Sequence, residues 1–319
     1  MTDDAPRIPA IYRLLANLPL GSRRRLLRAA LIGRGLLDRI GGRPQGLGLA
    51  EMFQAVLRLP RREALRLDRE ALRHDLASEL EWCALYGRSL PAILRDVARV
   101  RIEEPDMFER IAATGRPVIL APLHMGSYVL GLAATMVRYF PGRPMLILRQ
   151  RDDMAMETHV IQRLREIDID VRFLNVSERA DFLSAVRFAQ KGAVIVVFCD
   201  LPPDYGAPAA MPMFGQPLSF AFGTDTLARL TGATVVPWAT RMETGGDLVR
   251  IGRPFEVRGS SPEERADAAA IMRRHIQSSI TAAPEQWHLW PTLANYLPSD
   301  AKVTETTPTN EERPHDLAA

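Results

Sequence analysis

The chain has 319 residues, 47% of them hydrophobic and 25% charged, enough to bury one large core or two and too apolar for a chain that is disordered throughout. Its two cysteines, Cys83 and Cys199, lack metal-ligand spacing, which excludes a disulfide-stapled scaffold and a cysteine zinc site and suits a reducing cytoplasm. A formal net charge of +3 gives no reason to expect a nucleic-acid partner.

The first zone, from about Pro9 to Val100, has apolar residues at helical spacing, as in Leu27, Ala30, Leu31 and Leu36 and then Met52, Val56 and Leu57, with Gly41, Gly42 and Pro60 as breakers. It predicts three or four amphipathic helices. Residues 1–43 carry nine arginines against Asp3, Asp4 and Asp38, a local net charge of +6. That charge suits an anionic membrane surface or an acidic partner, and equally suits arginines solvating helix faces that pack on the body. Arg13, Arg23, Arg24, Arg25, Arg28, Arg34 and Arg39 interrupt the hydrophobicity, so no stretch reaches the roughly 18 apolar residues that span a bilayer. Nor does MTDDAPRIPA read as a signal peptide. The expectation is a cytoplasmic protein, soluble or peripheral on the inner face of the membrane, with 9–43 as its membrane-directed segment.

Around Pro117 the texture changes to short β-branched runs at 117–123, 144–149, 171–176, 193–198 and 234–240, followed by 248–257. Helical segments such as 154–167 and 179–191 lie between them, which predicts an α/β fold with a largely parallel mixed sheet flanked by helices. A last helix covers about 262–282. The organisation expected is an amphipathic helical region over 1–105, an α/β domain over 106–298 and a disordered polar tail over 299–319. No phosphate-cradling loop or Rossmann glycine spacing occurs.

The chemistry is concentrated in PVILAPLHMGSYVLG, where a buried strand runs into His124 and Gly126 and a helix begins near Ser127. Open α/β sheets place their sites at such strand ends, although a lone histidine there is as readily a satisfied structural residue. A second strand ends in Asp200, followed by a Pro/Gly-rich loop, an apolar hairpin-like piece and a helix ending at Gly232. A strand-terminal carboxylate beside such a loop is costly to bury without a task, with loop capping as its plain alternative. Ser127 lacks the strained G-x-S-x-G elbow of a nucleophile and reads as a helix N-cap. Met211, Met213, Phe214, Phe220 and Phe222 suit an alkyl-chain groove, and ordinary core packing explains them nearly as well.

HMGSYV, RQRDDM, KGAVIVVFCD, the MPMFG and LARLTGATVVP blocks and the late APEQW occur in an order that resembles the bacterial lipid A biosynthesis acyltransferases, the lauroyl and myristoyl transferases of the glycerophosphate acyltransferase-like superfamily. The resemblance spans roughly 48–291. It implies transfer of a fatty acyl group from an acyl-coenzyme A or acyl carrier protein thioester to a hydroxyl or amine, with no cofactor beyond that donor. It implies His124 as general base and Asp200 as the second functional acid, with Arg149 and either Arg163 or Arg165 near the substrate.

The sequence departs from the family pattern five residues after His124, where an acid that orients the imidazole is expected and Val129 stands instead. Three readings follow: a non-catalytic acyl- or carrier-binding protein; a carboxylate from elsewhere (Asp200 first, then Asp204, Asp225 or Glu157) orienting His124; or an amine acceptor that needs only a weak base. The missing span and the HLWPTLANYLPSD ending, where the family usually has a basic stretch, favour a soluble amine of a peptide or siderophore-like metabolite. Lipid A or lysophospholipid O-acylation is the alternative.

Overall fold

The computed structural model describes residues 8–43, 45–149, 155–175 and 179–298; the tail expected at 299–319 lies outside them. Five helices come first: α1 (Ala10–Ala16), α2 (Leu20–Ile40), α3 (Ala50–Leu57), α4 (Arg61–Gly87) and α5 (Leu90–Val97). Sequence periodicity anticipates three or four here; the short α1 and α5 are the pieces that prolines divide off. Pro9, Pro19 and Pro60 are the N-cap residues of α1, α2 and α4, because proline cannot donate to a preceding turn and holds an extended entry.

The strands are β1 (Arg101–Ile102), β2 (Val118–Pro122), β3 (Met145–Arg149), β4 (Val171–Asn175), β5 (Val194–Val196), β6 (Pro208–Ala210), β7 (Ser219–Ala221), β8 (Thr234–Arg241) and β9 (Leu248–Ile251). Seven of them form one sheet in the order β1-β9-β8-β2-β5-β3-β4, while β6 and β7 pair as a separate hairpin. Within the large sheet β8, β2, β5, β3 and β4 run parallel, and β9 turns back antiparallel to β8. This is the α/β fold with a largely parallel mixed sheet, preceded by a helical region. The two-residue β1 has no signal of its own in the sequence and is defined by its pairing with β9.

The remaining helices, α6 (Pro105–Ala113), α7 (Tyr128–Tyr139), α8 (Ala155–Gln162), α9 (Arg179–Ala189), α10 (Thr224–Thr231) and α11 (Pro262–Ala282), cover both faces of the sheet. Strand β2 shows why: Val118 and Leu120 pack into one apolar cluster with α5, α6 and α7, while Ile119 and Ala121 pack into the other with α3, α4, α10 and α11. A strand buried on both sides reads as a continuous apolar run, as this one does. Ser261 starts α11 as its N-cap by accepting the Glu264 N–H at 3.2 Å, with Pro262 at the first helical position.

Arg23 and Arg24 turn inward from α2. Arg23 pairs with Glu81 and Asp96, Arg24 with Glu81 and Asp247, and Arg88 with Asp96. This corrects the sequence-based picture of a uniformly solvated or membrane-facing arginine run. Among the described arginines of residues 8–43, Arg23 and Arg24 are internal, and they tie α2 to α4, α5 and the β8–β9 turn. Arg25, Arg28, Arg34 and Arg39 remain outside.

Candidate active site

Strands β2 and β5 are parallel neighbours, with Val118 opposite Val194 and Leu120 opposite Val196. Continuing that register beyond the strand ends brings residue 200 opposite residue 124. The Asp200 carboxylate accepts the His124 main-chain N–H at 2.7 Å through Oδ2 and meets the imidazole Nδ1 at 2.8 Å through Oδ1. A carboxylate only accepts, so the proton on this bond is carried by Nδ1 and the neutral ring keeps its lone pair on Nε2. Among the described residues no group hydrogen-bonds Nε2.

Asp200 is fully buried, whereas the His124 side chain is about a fifth exposed. Two further contacts hold the acid. Trp287 donates its indole N–H to Oδ2 at 2.9 Å, and the Tyr296 hydroxyl donates to the Asp200 carbonyl oxygen at 2.6 Å. Burial first, then nearby Asp200, pushes the Tyr296 hydroxyl far above its ordinary range, which keeps it a donor. Burial likewise raises the thiol of Cys199, with Asp200 adding to it; thiolate chemistry next to the acid is disfavoured.

Aromatic rings confine the imidazole. Phe198, two residues before Asp200, stacks on it at 3.9 Å between centroids and 20° between planes, and Tyr128 meets it edge-on at 5.6 Å. Trp82 of α4 in turn meets Tyr128 edge-on at 5.6 Å. Locked between these surfaces, the ring has little rotamer freedom, which favours a reactive geometry set in advance.

The turn after His124 depends on Gly126. Its φ is +58°, and a Cβ there would fall 2.5 Å from the Thr240 carbonyl oxygen, so only glycine fits. The turn is held from outside by the returning 284–288 segment. Met125 bridges Trp287 in antiparallel fashion, Gly126 N–H donates to the Gln286 carbonyl at 3.1 Å and His288 N–H donates to the His124 carbonyl at 3.0 Å. The Gln286 side chain closes on the main chain of Met242, accepting its N–H at 2.7 Å and donating to its carbonyl at 3.1 Å. Sequence reasoning quoted this segment as a motif without seeing its task. Trp287, Tyr296, Gln286 and Phe198 are therefore site residues it missed; an indole N–H acting on an acid 87 residues away leaves no local signal.

The other residues singled out in the sequence occupy varied places. Val129 is buried in the apolar cluster under α7, and the carboxylate that meets the His124 imidazole is that of Asp200. Of the other carboxylates considered, Asp225 pairs with Arg265, Asp204 lies on a short 3-10 turn, and the Glu157 side chain lies outside what the structure describes. Ser127 is the N-cap residue of α7, yet its hydroxyl makes no capping bond. Arg149 ends β3, donates to Thr158 at 2.8 Å and lies over the Phe173 ring at 4.2 Å. Arg163 caps the carboxyl end of α4, donating to the carbonyls of Leu85 at 2.8 Å, Tyr86 at 2.5 Å and Arg88 at 2.9 Å. Arg165 donates to the Val171 carbonyl at 2.6 Å, at the amino end of β4 and so at the opposite end of the sheet from His124. Met213 is buried and Phe214 half-buried, both packed in the apolar cluster with Phe53 and Trp290.

A cavity of about 550 Å³ opens between α2 and α4. Arg28, Arg66, Leu27 and Leu31 line its walls, and Met242 and Gln286 lie beneath. Met242 follows β8, so the cavity sits at the same end of the sheet as His124.

A histidine base oriented by a buried acid at the carboxyl end of a parallel sheet is suited to proton removal from an attacking group. The profile of the bacterial lipid A biosynthesis acyltransferases matches residues 93–291. The chain belongs to that family. The acyltransferase match begins inside α5, later than the resemblance at 48–291 suggests, and contains both His124 and Asp200. Among curated proteins no match is found. As a lipid A acyltransferase family member the protein is an enzyme of acyl transfer, and no described helix is long and apolar enough to cross a membrane.

Proposed function

We propose that His124 is the general base and Asp200 its orienting acid in transfer of a fatty acyl group from an acyl-coenzyme A or acyl carrier protein thioester to a membrane-borne hydroxyl or amine acceptor of the lipid A or lysophospholipid kind. The observation that carries this is the 2.8 Å contact between Nδ1 and Oδ1. Nε2 takes the proton from the acceptor as its oxygen or nitrogen bonds to the thioester carbonyl carbon. The tetrahedral adduct then expels the thiolate, to which the imidazolium returns the proton as thiol leaves. Asp200 stabilises the cation between those two transfers.

With an acid in place, a weak base no longer explains Val129, and the preference for an amine loses that support. Two features favour an acceptor at a membrane surface. Ile11, Leu14, Leu26, Leu36, Leu37 and Ile40 of α1 and α2 are exposed beside Arg13, Arg25, Arg34 and Arg39, a composition that attaches a helix to anionic lipid. The α2–α4 cavity, at the same end of the sheet as the base, sets leucines beside Arg28 and Arg66 and beside Glu70, Glu243 and Glu285, a lining that suits an amphiphile without selecting the sign of its head group.

Purified protein incubated with acyl-coenzyme A and acyl carrier protein donors, read by thiol release and mass spectrometry of the acceptor, tests this. Transfer to dispersed lipid acceptors is expected, with His124→Ala lowering it by on the order of 10²–10⁴. Transfer confined to soluble peptide or polyamine acceptors would move the acceptor to the siderophore-like class. Binding of donor without transfer to any acceptor would make the protein a non-catalytic acyl binder.

A further inference from the structure

His288, on the segment that holds the turn after His124, is a polar group that the proposed reaction leaves unused. Its main chain already holds the His124 carbonyl, and its ring continues past that point: Nε2 lies 3.0 Å from the Gly126 carbonyl oxygen. A carbonyl only accepts, so Nε2 carries a proton and donates. The other ring nitrogen, Nδ1, faces Asp75 of α4 with 3.7 Å to Oδ1. The ring thus spans from the helical region to the turn that carries the base.

The target of this bridge matters. Gly126 sits in the left-handed region, where its conformation is set by neighbours and not by a side chain. Rotation of the planar Gly126–Ser127 peptide moves the start of α7 on one side and the His124 main chain on the other. Gly126 N–H is fixed by Gln286 and its carbonyl by the His288 ring, so both polar groups of this residue are held by the same 286–288 segment. Losing the ring frees the carbonyl end alone.

We infer that His288 is a positioning residue for the base: its ring N–H, donating to the Gly126 carbonyl, fixes the turn on which His124 meets Asp200. This rests on the proposed role of His124, and it adds a residue on which the geometry of that histidine depends. Small displacements of a base can cost up to on the order of 10² in rate.

Full-length protein labelled with ¹⁵N-histidine provides a readout that needs no substrate: the Nδ1–H resonance of His124, assigned by its loss in His124→Gln. In His288→Leu that signal should shift and broaden by exchange, and His288→Gln, whose amide N–H reaches the place of Nε2, should restore it. With lauroyl-coenzyme A and a lipid acceptor, His288→Leu should lower kcat by 10- to 100-fold, on the order expected for a displaced base, with KM unchanged. An unchanged Nδ1–H signal in His288→Leu, or equal effects of the leucine and glutamine variants, would overturn the inference. A responsive signal together with full activity in His124→Ala would instead refute the base role and leave the bridge standing.

Discussion

Glu81 and Asp200 are both almost completely buried carboxylates, one among the N-terminal helices and the other at the carboxyl end of the sheet, and their partners differ in kind. Glu81 receives the Nε–H groups of Arg23 and Arg24, each at 3.0 Å. Burial would raise its pKa, but the two guanidinia outweigh it and hold the group below the ordinary range. Asp200 receives a main-chain N–H, an imidazole N–H and an indole N–H, and among the described residues no arginine or lysine reaches it. Neutral donors satisfy its lone pairs without cancelling its charge. That charge stays available for an imidazolium that exists only during turnover, whereas the charge of Glu81 is permanently matched. A buried ion-pair network and a buried acid–base pair look alike as lists of contacts; the sign of the resident partner separates them.

The largest effect should come from altering the acid. Asp200→Asn keeps size and most hydrogen bonds but presents an amide where the Nδ1–H needs an acceptor, favouring the tautomer with the proton on Nε2. Acyl transfer should fall by on the order of 10⁴, as in other triads altered this way, with the circular dichroism spectrum unchanged. Activity within tenfold of wild type would mean that Asp200 is only a structural anchor for Trp287 and Tyr296.

How much of this could be read from the sequence follows the same division. The strands β2, β3, β4, β5, β8 and β9, the crossover pattern and helix 262–282 were legible because period and breakers are local, whereas β1 was not. His124 and Asp200 were legible as strand-terminal residues, and their meeting required only that β2 and β5 be neighbours. Arg23 and Arg24 were misread because three consecutive arginines look solvated, while the carboxylates that bury them lie 58 residues away at Glu81 and 223 away at Asp247. Arg163 and Arg165 sit on one short segment, and nothing in their spacing tells that one caps α4 and the other faces the amino end of β4. The hairpin block at 211–222 combined signals for groove and for core, and packing with Trp290 and Tyr296 makes most of it core.

Cutting the ionic side of the comparison should leave catalysis intact. Arg24→Ala removes a guanidinium shared by Glu81 and Asp247 and leaves two buried carboxylates short of a partner. Breaking a buried pair in this way costs about 3–5 kcal/mol, read as a lower midpoint in urea unfolding. Activity per folded molecule should stay close to wild type, since Arg24 touches neither His124 nor Asp200 and reaches the reaction only as one of the residues lining the α2–α4 cavity. A selective fall in kcat without loss of stability would show that the N-terminal network also tunes the site.

A third kind of buried titratable group sharpens the contrast, because its charged neighbour, Arg250, disfavours its cation instead of pairing with it. His275 on α11 is pushed down to about 4, by burial first, which a main-chain bond at Trp238 only partly offsets; its Nε2 has no hydrogen-bond partner. The folded state therefore resists protonation that the unfolded chain accepts near the ordinary value of 6.5. Its contribution is fully present above about pH 6.5 and is lost as pH falls toward 4, amounting to about 3 kcal/mol over that window. Glu81, held low, keeps its contribution until more acid conditions, whereas Asp247, raised by burial against the pull of Arg24, acts in the opposite sense at the acid end. The difference between wild type and His275→Gln isolates the histidine. Wild-type stability should fall more steeply than that of the variant between pH 6.5 and 4, by up to about 1.4 kcal/mol per pH unit. Parallel curves would mean that His275 gains a counter-charge or water on protonation, and that burial without an acid partner does not keep a histidine neutral in this fold.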